Sequence, residues 1–556
     1  MPIIVQSDNS ILLETNGPDF EAARDALVRF AELVKSPEYL HTYRLTPLSL
    51  WNAASAGLTA DEIIRLLQTY SKYEIPQNVL VDVREHVGRY GRLQLLRSES
   101  NGAGLILRSK DPVLITEISR NPSLRPLILK KVARHTISLK PDARGPIKLA
   151  LIKIGYPVED LAGYEEGEPL TINERTVTRS GRPFRLRPYQ LDAINAFWAS
   201  GTASGGSGVL VLPCGAGKTI IGIGALRRVS QHALVLATNI VALRQWRDEL
   251  LDKTDIDPDL IGEYSGELKQ IRPVTLTTYQ ILTYRKKKSS GFLHMDLFNR
   301  GRWGLIIYDE VHLLPAPVFR AVADLQARRR LGLTATLVRE DGKEDDVFSL
   351  IGPKKFDIPW KDLEKQGWIA QAVCTEIRLN LPEERRMAYA VADQKSKFRI
   401  ASENPEKLCW VGKLIERHRR DNILIIGQYL DQLEEIQRKV GAPIITGRTP
   451  NKERERIYGD FKAGRQKCII VSKVANFSVD LPDANVVIQV SGTFGSRQEE
   501  AQRLGRVLRP KPGDNQAHFY SLVTRETKDQ DFAAKRQLFL TEQGYRYRID
   551  VDGRGD

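Results

Sequence analysis

Cysteine is scarce in this 556-residue chain. Its four cysteines, Cys214, Cys374, Cys409 and Cys468, lie far apart and form no Cys-x-x-Cys pair. Iron–sulfur and structural metal sites need clustered thiolates, so reduced free thiols are expected instead. No apolar run reaches membrane-spanning length, and the opening residues MPIIVQSDNS lack a basic region followed by an apolar core. Neither a membrane anchor nor a secretory leader is expected, and a cytoplasmic location is. Acidic residues are outnumbered, 69 against 83 basic ones, which leaves a net charge of +14 and a pI near 9.4. That excess suits a polyanionic partner, because each phosphate neutralised releases counterions, although many basic proteins bind no nucleic acid. Hydrophobic residues make up 42% of the chain, enough for several cores. A length of this order predicts about three or four domains.

What is present centres on Gly208 to Ala225, GVLVLPCGAGKTIIGIGA. Val209 to Leu212 read as a short buried strand, Pro213, Cys214, Gly215, Ala216 and Gly217 as a loop, and Lys218-Thr219 as the start of a helix. Strand, Gly-rich loop and helix in that order make a phosphate cradle. Backbone N–H groups point at the anion, Lys218 adds a point charge, and the Thr219 hydroxyl can sit on Mg²⁺. Gly215 and Gly217 permit a close approach that a Cβ would block. Leu212 stands where the pattern usually begins with Gly.

Upstream, residues 1–165 read as an α+β accessory region without a catalytic constellation. A helix is predicted over Phe20 to Lys35, short helices follow with Thr59 as an N-cap, and strands are predicted over Leu93 to Arg97 and Gly104 to Arg108. From Arg185 the pattern changes to alternating strand and helix, the signature of a parallel sheet. Arg187, Tyr189 and Gln190 are placed to read an adenine edge, though alone they read more readily as a helix start.

About ninety residues beyond Lys218, WGLIIYDEVHLLP is an apolar strand ending in Asp309-Glu310. Two carboxylates at the carboxyl edge of a parallel strand divide the work: Asp309 to hold Mg²⁺ and Glu310 to polarise the attacking water. Another strand runs into Thr334-Ala335-Thr336. After Pro359 a second α/β series follows with no second cradle. It ends in GSRQEEAQRLGRVLRPK, where Arg506 and Arg509 share a helix face with Gln502 one turn earlier. Such a pair suits an arginine finger, and a solvated basic face is the alternative.

Taken together, LPCGAGKT, Asp309-Glu310-Val311-His312, Thr334-Ala335-Thr336 and the QxxGRxxR stretch from Gln502 to Arg509 resemble a superfamily 2 helicase. The spellings LPCGAGK, DEVH, GLTATLVRED, SKV…DLP and EAQRLGRVLR resemble the XPB branch of DNA repair and transcription helicases, over roughly residues 40–525. The resemblance implies an α/β fold of two RecA-like parallel-sheet motor domains, 166–356 and 357–556, preceded by the accessory domain at 1–165. It implies a damage-recognition-like region near 40–140, a RED motif at Arg339-Glu340-Asp341 that engages and opens duplex DNA, and a thumb-like insertion near 381–406. Read from its residues alone, that insertion is a charged helix candidate able to lie on a phosphate backbone or on a neighbouring domain. Ala475-Asn476 stand where the family usually has Gly-Asp, which puts that loop's contacts in doubt. The absence of long extensions implies a compact prokaryotic-type member, nucleoid-associated in its cell.

The expectation is an ATP-dependent DNA helicase or translocase with 3′→5′ polarity, acting in DNA repair. ATP and Mg²⁺ would bind between the two motor domains. The first would supply Lys218, Thr219, Asp309 and Glu310, and the second Arg506, Arg509 and Asp480. Thr238, Thr278, Thr446 and Ser472 would track DNA phosphates, single-stranded or duplex, without reading sequence. His312, Thr334 and Thr336 would couple hydrolysis to movement, with a core histidine as the plainer reading of His312. A partner nuclease or repair protein stays open. The alternatives are an RNA helicase or duplex remodeller on the same motor, or an ATP-gated DNA-melting scaffold that does not unwind processively.

Overall fold

The computed structural model describes the chain except residues 36–38, 99–103, 141–142, 203–204, 214, 287–291, 315–317, 319–327, 336–343, 359, 473–483, 493–503, 505–514, 543–544, 546 and 552–556. It divides into two compact units, one of Met1–Leu212 with Gly217–Asp357 and one of Ile358–Asp556 with Pro213–Ala216.

The first unit opens with a four-stranded antiparallel sheet, in the order Ile3–Val5, Ser10–Glu14, Leu40–Arg44, Glu32–Lys35. The helix expected over Phe20 to Lys35 is shorter: it spans Phe20–Val28, and the chain returns as the strand Glu32–Lys35. Pairing with Leu40–Arg44 satisfies that backbone and buries Leu33 in the same core as Phe20 and Leu27, so tertiary pairing overrides the local helical pattern. Helices Pro47–Ser55, Ala60–Tyr70 and Gln77–Arg89 join this core. Thr59 is the expected N-cap: its hydroxyl accepts from Glu62 N–H at 3.2 Å, and the Glu62 carboxylate accepts from Thr59 N–H at 2.8 Å.

A five-stranded sheet follows, ordered Ile128–Ala133, Thr136–Leu139, Leu105–Ser109, Leu93–Arg97, Val158–Asp160. The strand at Leu93–Arg97 has the expected bounds, and its neighbour is displaced by one residue from expectation.

The rest of the first unit is a seven-stranded sheet, every pairing parallel, in the order Ile261–Tyr264, Val274–Thr278, Ala233–Ala237, Leu305–Asp309, Arg329–Thr334, Ser207–Val211, Lys354–Asp357. The run of fully buried residues in Ala233–Ala237 shows why these strands are apolar throughout: both faces are covered. Register sets the functional edge. Val211 pairs with Thr334 and Asp309 with Leu333, so the cradle strand, the Thr334 strand and the Asp309 strand end side by side.

The second unit holds another seven-stranded parallel sheet, ordered Ile444–Ile445, Cys468–Ser472, Ile423–Gly427, Val486–Gln489, Gln516–Thr524, Gln371–Leu379, Tyr547–Val551. The charged stretch after Leu379 forms two helices, Glu383–Val391 and Gln394–Ser402.

Candidate nucleotide site

The cradle has the backbone its sequence demands. Gly215 and Gly217 have φ of +82° and +79°, in the left-handed region that favours glycine, and Gly217 is the N-cap of helix Lys218–Val229. The helix N-terminus therefore opens directly onto the loop, with its first N–H groups pointing out of the helix. A Cβ on Gly217 would also lie 2.6 Å from Gln190 Nε2, so Gln190 abuts this N-terminus. Gln190 is in turn fixed by its own helix, Pro188–Trp198, where its Oε1 accepts from Arg187 N–H at 2.9 Å. Arg187 Nη1 donates to the Tyr189 hydroxyl at 3.1 Å. The adenine-edge candidates thus stand together, and Gln190 reaches the cradle.

Lys218 donates to Glu310 Oε1 at 2.8 Å, with both side chains largely shielded. Glu310 itself sits at φ +50°, a left-handed conformation that costs a non-glycine residue energy and is found at sites the surroundings hold under strain. Its Oε2 is buried with no hydrogen bond among the described residues, and His312 Nδ1 lies 3.5 Å from it. His312 Nδ1 also shares a 2.7 Å hydrogen bond with Thr334 Oγ1. Both residues are buried, so Glu310, His312 and Thr334 form one chain of contacts from the carboxylate to the end of the neighbouring strand.

The two carboxyls are pushed in opposite directions. Burial, and then the charge of Glu310, push Asp309 up to about 6 against the pull of the Trp246 hydrogen bond. Burial also opposes ionisation of Glu310, but Lys218 outweighs it, helped by His312, and holds Glu310 below the usual carboxylate range. A site that ionises one carboxylate at the expense of its neighbour is short of positive charge.

Two residues that sequence reasoning missed hold Asp309. Trp246, buried on helix Ile240–Lys253, donates its indole N–H to Asp309 Oδ2 at 3.0 Å, and the Tyr279 hydroxyl donates to Asp309 O at 2.9 Å. Gly222 makes the room: a Cβ there would lie 2.4 Å from the Trp246 ring. A tryptophan on the buried face of an amphipathic helix reads only as core, and nothing in its local pattern marks the reach of its N–H.

The proposed phosphate trackers have varied surroundings. Thr238 is half-buried, and its hydroxyl accepts from Asn239 Nδ2 at 3.1 Å. Thr278 is buried and caps helix Tyr279–Leu282. In the second unit, the half-buried Thr446 accepts from Arg448 N–H at 3.2 Å, while the Ser472 hydroxyl is buried with no hydrogen bond among the described residues. Cys214, Thr336, Arg339, Glu340, Asp341, Asp480, Gln502, Arg506 and Arg509 lie outside the described residues.

Three family models match the chain: ERCC3/RAD25/XPB C-terminal helicase over residues 363–553, the helicase conserved C-terminal domain over residues 3–133, and the type III restriction enzyme res subunit over residues 183–339. The chain is 53% identical to the DNA 3'-5' helicase XPB of Kineococcus radiotolerans, covering 99% of this chain and 97% of the relative. It is 51% identical to the protein of the same name in Mycobacterium tuberculosis, covering 99% and 98%. Identity falls to 35% with the general transcription and DNA repair factor IIH helicase/translocase subunit XPB of Encephalitozoon cuniculi, covering 99% and 83%. Among solved structures, the ATP-dependent Type ISP restriction-modification enzyme LlaBIII bound to DNA is alike in fold, with 14% identity, a TM-score of 0.50, and 67% of this chain and 31% of that one covered.

Proposed function

The chain belongs to the XPB family and is an ATP-dependent DNA helicase, and from that premise we propose that Lys218, Glu310 and Asp309 carry its hydrolytic step, in DNA repair and with 3′→5′ polarity. The observation that carries this reading is the Lys218–Glu310 ion pair at the mouth of the cradle. With no nucleotide bound, the ammonium and the carboxylate neutralise each other. A γ-phosphate seated on the helix N-terminus competes for Lys218 and draws it off the carboxylate. Glu310, released, is left as the carboxylate nearest the terminal phosphate, able to orient water and take its proton.

Among the described residues no group of three or more His, Cys, Asp or Glu is arranged to hold a metal. The donor set nevertheless fits Mg²⁺, which takes one or two carboxylates and completes its shell with phosphate oxygens and water. Asp309, whose carboxyl is pushed up by burial and by the Glu310 charge, would be the protein oxygen ligand, and the Thr219 hydroxyl would be a second. When bound, the cation offsets charge on the phosphates. Trp246 fixes the Asp309 carboxylate through its indole N–H. Arg506 and Arg509 supply guanidiniums to the transferring phosphoryl group, and Asp480 and Gln502 contact the nucleotide; these assignments rest on the motif spellings.

Coupling follows from the contacts of Glu310. A change at its carboxylate is felt by His312, and through the 2.7 Å bond by Thr334. Thr334 ends the strand that leads into Thr336 and Arg339-Glu340-Asp341, the residues proposed to engage DNA together with Thr238, Thr278, Thr446 and Ser472.

Glu310→Gln tests the assignment. It keeps the side-chain shape and removes the base, so nucleotide binding should persist while turnover falls by about 100-fold or more. Turnover near that of the wild type would remove Glu310 from the reaction.

A further inference from the structure

A cavity of about 220 Å³ lies inside the first unit, far roomier than the roughly 10–15 Å³ a single water needs. It opens where helix Arg144–Lys153 and strand Val158–Asp160 meet the beginning of the cradle strand and the edge strand Lys354–Asp357. Its walls include Lys148, Lys355, Glu159, Asp160, Ser55 and Ser207.

The charges around it do not balance. Asp160 is saturated: Arg144 Nη2 donates to Oδ1 at 2.8 Å, and Arg144 Nε and Lys148 Nζ each donate to Oδ2 at 3.1 Å. Glu159 accepts from Gln94 Nε2 at 2.9 Å. Arg330, fully buried, donates to Ser207 Oγ at 2.8 Å. Lys355 is half-buried, and among the described residues it makes no ion pair; Glu159 attracts it only from a distance. Among the described residues, Lys148 and Lys355 at the wall and Arg144 and Arg330 behind it therefore meet two carboxylates, an excess of two positive charges in a shielded space.

Burying like charges without compensation is costly, and the interior resists it by pushing their proton affinities down. Burial pushes Lys148 down to about 8, helped by Arg330 and Arg144 and opposed by Asp160; burial also pushes Lys355 down. The chain gives up a side chain to accommodate Lys355, since a Cβ on Gly208 would lie 2.5 Å from Lys355 Cγ. A bare Cα that lets a lysine stem cross it, and a lysine head with no counter-ion beside a polar cavity, are what an anion site requires.

We propose that this cavity binds a small phosphate-class dianion, inorganic phosphate or the phosphate of a nucleoside monophosphate, held by Lys148 and Lys355. A dianion matches the excess of two charges, and its oxygens replace the water that the cations lose on burial. The site is separate from the cradle: Ser207 and Gly208 begin the strand whose far end opens into the cradle. Its walls come from helix Pro47–Ser55, the five-stranded-sheet region and the motor sheet, so an occupant fastens these together.

The test is thermal unfolding of the full chain carrying Lys218→Ala, which removes the lysine of the cradle, titrated with inorganic phosphate against chloride at equal ionic strength. Tm should rise with phosphate concentration, as for any ligand bound only by the folded state. Adding Lys355→Met should abolish that rise, while Tm without phosphate stays equal or increases because an uncompensated charge is gone. Adding Lys148→Met should also abolish the rise, with Arg144 still holding Asp160. AMP in place of phosphate separates the two sources: a matching rise identifies a nucleotide phosphate, and a rise with phosphate alone identifies the free ion. An undiminished phosphate effect in Lys355→Met would overturn the proposal, as would its complete loss in Lys218→Ala alone.

Discussion

Asp309 and Glu310 are neighbours in sequence with opposite titration behaviour, and the difference predicts how each acts on stability. Asp309 has its folded pKa raised, to about 6, so its favourable contribution is full in acid and is lost as pH rises through that value. At neutral pH it therefore destabilises the nucleotide-free protein. Asp309→Asn should raise Tm of that form at pH 7.5 while abolishing hydrolysis; a lower Tm would mean that the carboxylate is better compensated than its surroundings indicate. Glu310 has the reverse sign: its folded pKa is lowered, so its contribution is present above the ordinary glutamate value and fades as pH falls. The Trp246 hydrogen bond favours the ionised form of Asp309. Trp246→Phe should thus lower kcat and move the acid limb of its pH profile upward. A reduced kcat with an unmoved acid limb would make Trp246 a packing residue only.

At the scale of elements, local rules and tertiary pairing divide the chain between them. Where a helix begins with its own cap, the sequence is sufficient. Thr59 and Glu62 satisfy each other's backbone donors, and Thr59→Ala should cost about 1 kcal/mol, read as a shift of the urea midpoint without a change in m-value. The cradle was legible for the same reason, because Gly215 and Gly217 are dictated by a local backbone requirement. So were the strand ends that carry Asp309 and Thr334, since an apolar run stopping at polar residues marks a parallel strand's carboxyl edge. The strand Glu32–Lys35 was hidden because its helical spacing is overruled by a partner later in the chain. The Trp246–Asp309 bond was hidden because it joins residues 63 apart whose local patterns say nothing of each other. The left-handed turn at Glu310 likewise leaves no mark in residue type, since glutamate is not a residue that favours it.

At the scale of the molecule, two seven-stranded parallel sheets share one chain, and among the described residues the glycine-rich loop that opens into helix Lys218–Val229 belongs to the first. A net charge of +14 suits a polyanionic partner such as DNA, held without selecting a sequence. A motor additionally requires that binding of the polymer change the rate at which ATP is spent. Hydrolysis at Lys218 and Glu310 should therefore answer to DNA, which is measured by steady-state ATPase of the wild type and Lys218→Ala with no nucleic acid, single-stranded DNA, duplex DNA or RNA. Turnover should be stimulated by DNA more than by RNA and lost in Lys218→Ala, while DNA binding by the variant is largely retained. Equal turnover in the variant would remove Lys218 from the reaction, and stimulation by RNA alone would rule out a DNA-driven motor.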